Sequence, residues 1–344
     1  MGTKIPNRPN NNGGISDLFF YVRRCYDEMV YFRGRESYKG THFSRSDFRY
    51  FYIIYPLKFE SMYRFLPILM LLIFTDAVVA QKNPYLIYNA KGKKVSYKKM
   101  LRNLEEKDIV LFGEQHDNAI AHWLQYELTT DLHQKRQLIL GAEMFEADNQ
   151  LPLNKYLNGE ITAKGLDTLA RLWPNYRTDY APLVDFAKAN DIPFIATNVP
   201  RRFANLVYRN GFDVLEKLSA EEREWIAPLP LPFDSQLPTY KNILSMMGDH
   251  GTPELVMAQA TKDATMAYFI LKHFKKGHLF IHYNGTYHSD FQEGILWYLK
   301  RTEGNLKYAT ISTVSQENIN KLLPENLKKA DFIICVDSNM TPTY

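Results

Sequence analysis

The sequence predicts an α/β fold: a mainly parallel β-sheet flanked by helices, with a mostly helical subdomain. Three observations carry this. Short apolar runs rich in β-branched residues alternate with amphipathic stretches rich in Leu, Ala and Lys, the pattern of strands joined by helical crossovers. Several of the runs are apolar without alternation, as strands buried on both faces are. Two of them close on one pattern, Gly113-Glu114-Gln115-His116 and Gly285-Thr286-Tyr287-His288. A run ended by glycine is the mark of a strand entering a turn. In a parallel sheet both turns emerge at the edge where open α/β folds place ligands.

At the start of the chain, residues 1–61 join an Asn/Gly-rich stretch, Asn7 to Gly14, to scattered Tyr, Phe and Arg that keep no helix or strand period, and predict no domain. Met62 opens a different kind of segment: Tyr63-Arg64 is a basic start, Phe65 to Thr75 an apolar core, and Val78-Val79-Ala80 a row of small residues. That is the layout of a signal peptide over residues 62–80, cleaved before Gln81. The apolar core is shorter than the ~20 residues a membrane span needs. Translation is therefore expected to begin at Met62, leaving 81–344 as the folded product. Ten of the 42 Lys+Arg and six of the 38 Asp+Glu fall in residues 1–61, which leaves 32 of each sign in residues 62–344. A neutral chain without a basic stripe argues against nucleic acid as partner. Cys335 is the only cysteine after Cys25, so the folded product has no internal disulfide. With Gln rather than Cys at position 81, no N-terminal lipid anchor is expected. The expected location is periplasmic or secreted.

From Gln81 to Met100 a small strand or hairpin is expected. Asp108 to Phe112 is the first core strand, and residues 117–136 a helix with Ile120, Trp123, Leu124, Leu128 and Leu132 at helical spacing. His122 and His133 on that helix read as surface or packing residues. Leu138 to Ala142 forms a strand ending at Glu143. A helical stretch from Leu151 to Ala189 is broken at Trp173-Pro174 and Ala181-Pro182, which puts Tyr176 and Tyr180 on or near loops. Pro193 to Thr197 is a strand ending at Asn198, followed by Arg201 and Arg202. Residues 201–276 carry no clear strand and form the helical excursion. Leu279 to Asn284, Tyr308 to Val314 and Asp331 to Val336 complete the sheet.

The expected mouth of this sheet gathers Glu114, His116, Glu143, Asn198, Arg201, Arg202, Asn284 and His288. Imidazoles with carboxylates suit iron or zinc, with His116 and His288 as metal ligands. Asn198 and the arginine pair suit a carboxylate or a propionate.

Five ordered blocks then carry a resemblance: Leu111 to Asn118, Gly141 to Glu146, Ala196 to Arg202, Gln259 through Asp263 to Ala267, and Gly285 to His288. They resemble the ChaN family of haem-binding uptake proteins, within a superfamily that includes Tiki proteases, TraB-like proteins and erythromycin-esterase-like hydrolases. The resemblance implies an exported protein that takes part in haem or iron uptake. Haem would be held by a tyrosine, with basic residues on its propionates, at the interface of a homodimer. It also implies an outer-membrane haem receptor or transporter as a further partner. The candidate ligands are Tyr176, Tyr180 and Tyr287, beside Asn198, Arg201 and Arg202. The alternative is a metal-dependent hydrolase. There Glu114 activates water, His116 and His288 bind a divalent metal or move protons, and Glu143 orients a histidine.

Overall fold

A computed structural model describes residues 82–344 of the chain. The expected extension over 1–61 and the expected signal peptide over 62–80 lie outside the described residues. Residues Lys82–Tyr344 form one compact unit. Its strands are β1 (Tyr85–Asn89), β2 (Lys94–Val95), β3 (Ile109–Glu114), β4 (Leu138–Glu146), β5 (Phe194–Asn198), β6 (Leu279–Gly285), β7 (Tyr308–Gln316) and β8 (Phe332–Asp337). They pair in the order β2-β1-β8-β7-β3-β6-β4-β5. Pairing is parallel from β8 to β5 and antiparallel within the β1–β2 hairpin and where that hairpin joins β8. The predicted mainly parallel sheet is thus present.

Alternation along the central strands decides which helices cover which face. On β3, Val110 and Phe112 point to one core, with Leu124, Leu128, Leu183 and Val184. Ile109 and Leu111 point to the other, with Met266, Ile270, Ile295 and Leu299. Because both faces are buried, the strand reads as an unbroken apolar run. The first face is covered by α1 (Tyr97–Glu105), α2 (Ala119–His133), α3 (Gln150–Leu157), α4 (Ala163–Leu169) and α5 (Ala181–Ala189). The helical excursion supplies α6 (Arg201–Asn210), the short α7 (Ala220–Arg223), α8 (Pro238–Met247) and the long α9 (Pro253–His273). Helix α9 and the next helix, α10 (Ile295–Thr302), cover the second face. The neighbouring strands β3 and β6 therefore send their helices, α2 and α10, to opposite sides of the sheet. Such a switch point opens a crevice at the strand ends.

Several local expectations change. Tyr176 to Tyr180 form a π-helical turn running into α5, and Pro182 sits in the first turn of that helix, where its missing N–H breaks no bond. Both tyrosines are consequently buried rather than on loops. Gly113 lies inside β3 and Gly285 ends β6, so neither is a turn glycine. Each is required by close approach: a Cβ on Gly113 would stand 2.9 Å from the Ile311 carbonyl, and one on Gly285 2.7 Å from His116 Nε2.

The sheet's outer strands are both closed off. β2 is two residues long and begins with a lysine. On β5 the side chain of Gln150 mimics a further strand, with Nε2 donating to the Phe194 carbonyl at 3.0 Å and Oε1 accepting from the Ala196 N–H at 2.7 Å. Among the described residues no helix is long and apolar enough to cross a membrane.

Candidate functional site

The first histidine motif ends β3. Glu114, almost wholly buried, is satisfied on both oxygens: Oε1 accepts from His116 Nδ1 at 2.9 Å and from the Tyr180 hydroxyl at 2.7 Å, and Oε2 accepts from Gln125 Nε2 at 2.5 Å. A buried carboxylate is tolerated where its oxygens are satisfied in this way. Burial works against a charged His116, yet the hydrogen bond to Glu114 and the charges of Glu143 and Glu114 outweigh it and raise its pKa. The His116 backbone is fixed as well, since its carbonyl accepts from His122 Nε2 at 3.0 Å and Asn175 Nδ2 at 3.1 Å. The Trp173 ring packs edge-on to the imidazole, 4.9 Å between centroids. With Nδ1 committed, Nε2 stands at the crevice wall beside Gly285.

The second motif leaves β6 in a 3-10 turn, Thr286–His288. His288 is clamped between two buried carboxylates, with Nε2 3.2 Å from Glu143 Oε1 and Nδ1 2.5 Å from Asp263 Oδ1. Burial pulls its pKa down, but the Glu143 and Asp263 charges prevail and raise it to about 9. At Glu143 burial is overcome by the charges of His288 and His116, and the carboxyl is held below the usual range. At Asp263 burial dominates over His288 and Tyr240 and pushes the carboxyl up. Glu143 Oε2 also accepts the Gly285 N–H at 2.7 Å, and Tyr240 of α8 donates to Asp263 Oδ2 at 3.0 Å. Behind them His282 is enclosed between Thr197 Oγ1 at 2.7 Å and Asn284 Oδ1 at 3.1 Å. Its pKa falls to about 4 because burial disfavours the cation.

A cavity of about 840 Å³ opens over these groups and is lined by Glu114, His116, Glu143, Asn198, Arg201, Tyr287 and His288. Seven sequence-predicted residues thus converge. Asn198 donates to the Glu143 carbonyl at 2.9 Å, while its Oδ1 is buried without a partner. Tyr287 is 46 % exposed, with its hydroxyl 3.4 Å from Met246 Sδ. The other four predicted residues stand elsewhere, Asn284 behind the cavity at His282. Arg202 pairs with Asp148 at 2.6 Å and lies over the Phe203 and Trp225 rings. Tyr176 packs against Phe145 and faces a separate small cleft. Tyr180 lies beneath the cavity, its phenol spent on Glu114 and its pKa raised first by burial and then by that charge. Among the described residues no group of three or more His, Cys, Asp or Glu side chains is placed to hold a metal ion. The expected metal ligands His116 and His288 each hold a carboxylate at Nδ1, and the Nε2 of His288 also faces Glu143.

Residues 100–299 match the family model described as haem-binding uptake, Tiki superfamily, ChaN. The chain belongs to the ChaN family. A solved ChaN from Campylobacter jejuni, described with cofacial haem binding, superposes with a TM-score of 0.56 at 19 % identity, covering 74 % of this chain and 97 % of that one. An erythromycin esterase in its open conformation gives 0.44 at 11 % identity, covering 73 % and 97 %. A MARTX toxin effector domain from Vibrio vulnificus gives 0.40 at 16 % identity, covering 71 % of this chain and 38 % of that one. A comparison with curated proteins finds no match.

Within this ChaN-family site, sequence reasoning missed the supporting residues. His122, read as a surface or packing residue, is buried and holds the His116 carbonyl. Its partner Gln125, three residues on, shares its face of α2 and reaches Glu114. Asp263 and Gln259, one helical turn apart on α9, both face His288. Polar residues at such spacing on an otherwise apolar helix face were the available signal.

Proposed function

We propose that this chain binds haem in the cavity at the open edge of its sheet, as a step in haem or iron uptake, with Tyr287 as the iron ligand. The observation that carries the reading is the position of Tyr287. Among the three candidate tyrosines it is the one that lines the cavity and is exposed, and its hydroxyl is committed to nothing stronger than a thioether. Tyr180 would have to give up its hydrogen bond to the buried Glu114 to reach a ligand, which costs about 1–3 kcal/mol. Haem would supply a ferric iron that takes a hard anionic ligand, and phenolate is one. The remaining donor set fits a flat apolar ring with acidic arms. Ile243, Met246 and Met247 offer apolar surface, and Arg201 and Lys262 offer cations suited to propionates. The volume lies within the ~300–1,000 Å³ usual for ligand sites.

Titration of the purified protein with ferric haem tests this. Saturable binding with a high-spin tyrosinate spectrum is expected, lost in Tyr287→Phe and kept in Tyr176→Phe. An unchanged spectrum in Tyr287→Phe would remove the assignment.

We propose further that the protein acts as a homodimer, that residues 62–80 direct its export, and that an outer-membrane haem receptor or transporter is its partner. N-terminal sequencing of the native protein should begin at Gln81; a tryptic peptide from residues 1–61 would count against it.

One observation favours a second reading, hydrolysis. His116 is oriented through Nδ1 by Glu114 with Nε2 at the cavity wall, the arrangement of a general base and its orienting carboxylate. Glu114→Gln should then abolish turnover in an ester-substrate screen while leaving haem titration intact. Wild-type protein that turns over no ester removes this reading.

A further inference from the structure

We infer that Met246 is a second iron ligand of the same site, used for ferrous haem, so that iron changes partner from Tyr287 to Met246 when it is reduced. The inference rests on the haem reading above. Its own ground is a pair of side chains at the mouth. Tyr287 arrives from the turn after β6 and Met246 from the last turn of α8, two elements separate in sequence. The Tyr287 hydroxyl and Met246 Sδ are 3.4 Å apart, both residues line the cavity, and they are 46 % and 63 % exposed. Met246 exposes more of itself to solvent than a packing methionine does. Its sulfur accepts only weak contacts, from Tyr287 and from Asn242 Nδ2 at 3.6 Å. An atom within reach of the phenol oxygen is within reach of a sulfur one contact away.

The chemistry differs by oxidation state. Ferric iron prefers hard phenolate and ferrous iron prefers soft thioether. In the exchange, a one-electron reductant such as dithionite gives its electron to the ferric iron, and the iron–phenolate bond breaks. The Tyr287 oxygen takes a proton from solvent, and the Met246 sulfur lone pair forms the new bond to iron. A one-electron oxidant such as ferricyanide takes the electron back and reverses each of these. The site would hold haem across a change of oxidation state that a tyrosine alone would not follow.

The experiment loads the full chain with ferric haem, records its absorbance and magnetic circular dichroism, then adds dithionite under anaerobic conditions. Wild type, Tyr287→Phe, Met246→Leu and, as a control outside the cavity, the exposed Met340→Leu are compared. Leucine keeps the bulk of methionine without its sulfur, so folding is conserved. The inference expects a thioether-ligated ferrous spectrum in wild type and Met340→Leu, lost in Met246→Leu, whose ferric spectrum keeps its tyrosinate bands. A ferrous spectrum identical in Met246→Leu and wild type overturns the inference and leaves Tyr287 standing. A ferric spectrum indifferent to Tyr287→Phe overturns the haem assignment itself, and the inference with it.

Discussion

His116 shows how closely single atoms constrain this site. Gly285 has an ordinary negative φ of −62°, so alanine suits its backbone, and only the imidazole 2.7 Å from the new methyl objects. Gly285→Ala should therefore lower stability by about 1–3 kcal/mol. The same substitution in a His116→Ala background should cost little, a double-mutant cycle read by urea denaturation. His282 makes a second prediction. Its pKa is lowered to about 4 in the folded state, against about 6.5 unfolded. The unfolded chain thus binds the extra proton first as pH falls. The contribution is full above pH ~6.5 and lost through pH ~4, on the order of 3 kcal/mol. His282→Gln should flatten that limb of a plot of unfolding free energy against pH; an unaltered slope would refute the assignment. Most residues of the mouth were legible in the sequence because each ends an apolar run. Tyr180 and Arg202 were named for the right neighbourhood, yet both are committed to carboxylates, Glu114 and Asp148. Pairing of that kind comes from residues distant in sequence.

At the scale of elements, the strands were readable and the turns were not. An apolar run fixes a strand whatever surrounds it, so β3, β6, β7 and β8 fall where the sequence places them, within a residue or two at their ends. Helix α1 was missed because Tyr97 to Glu105 is short and mostly polar, with only Met100 and Leu104 buried. The π-helical turn was missed because two prolines read as breaks. The connection from β6 to α10 is tightly specified as well. Gly294 holds φ 53° and ψ −123° at the start of α10, and a Cβ there would overlap the His288 carbonyl. Gly294→Ala should cost about 3 kcal/mol or more, since backbone strain and the clash act together. Thermal denaturation measures this, and a loss under about 1 kcal/mol would show that the turn relaxes without consequence. The same substitution should displace His288, weakening any ligand held beside Tyr287.

For the whole molecule, the topology brings two histidine motifs 172 residues apart in sequence to one crevice, as the reversal between β3 and β6 requires. The cavity mouth presents Met246, Met247 and Tyr287, all exposed. With haem seated there, a second copy can cover its outer face. Light scattering during the haem titration should show mass doubling as the site fills, and a monomer at saturation would refute dimer formation. The closed margins of the sheet bear on how copies meet. Among the described residues, a two-residue β2 and the Gln150 amide on β5 shorten the rows of free backbone groups at the sheet's two margins. Association by continuous sheet extension, the route to fibres, is disfavoured at both ends. The proposed dimer is thereby left to surfaces whose contacts saturate after one partner, and the haem carrier proposed above would need such an assembly, one that can come apart.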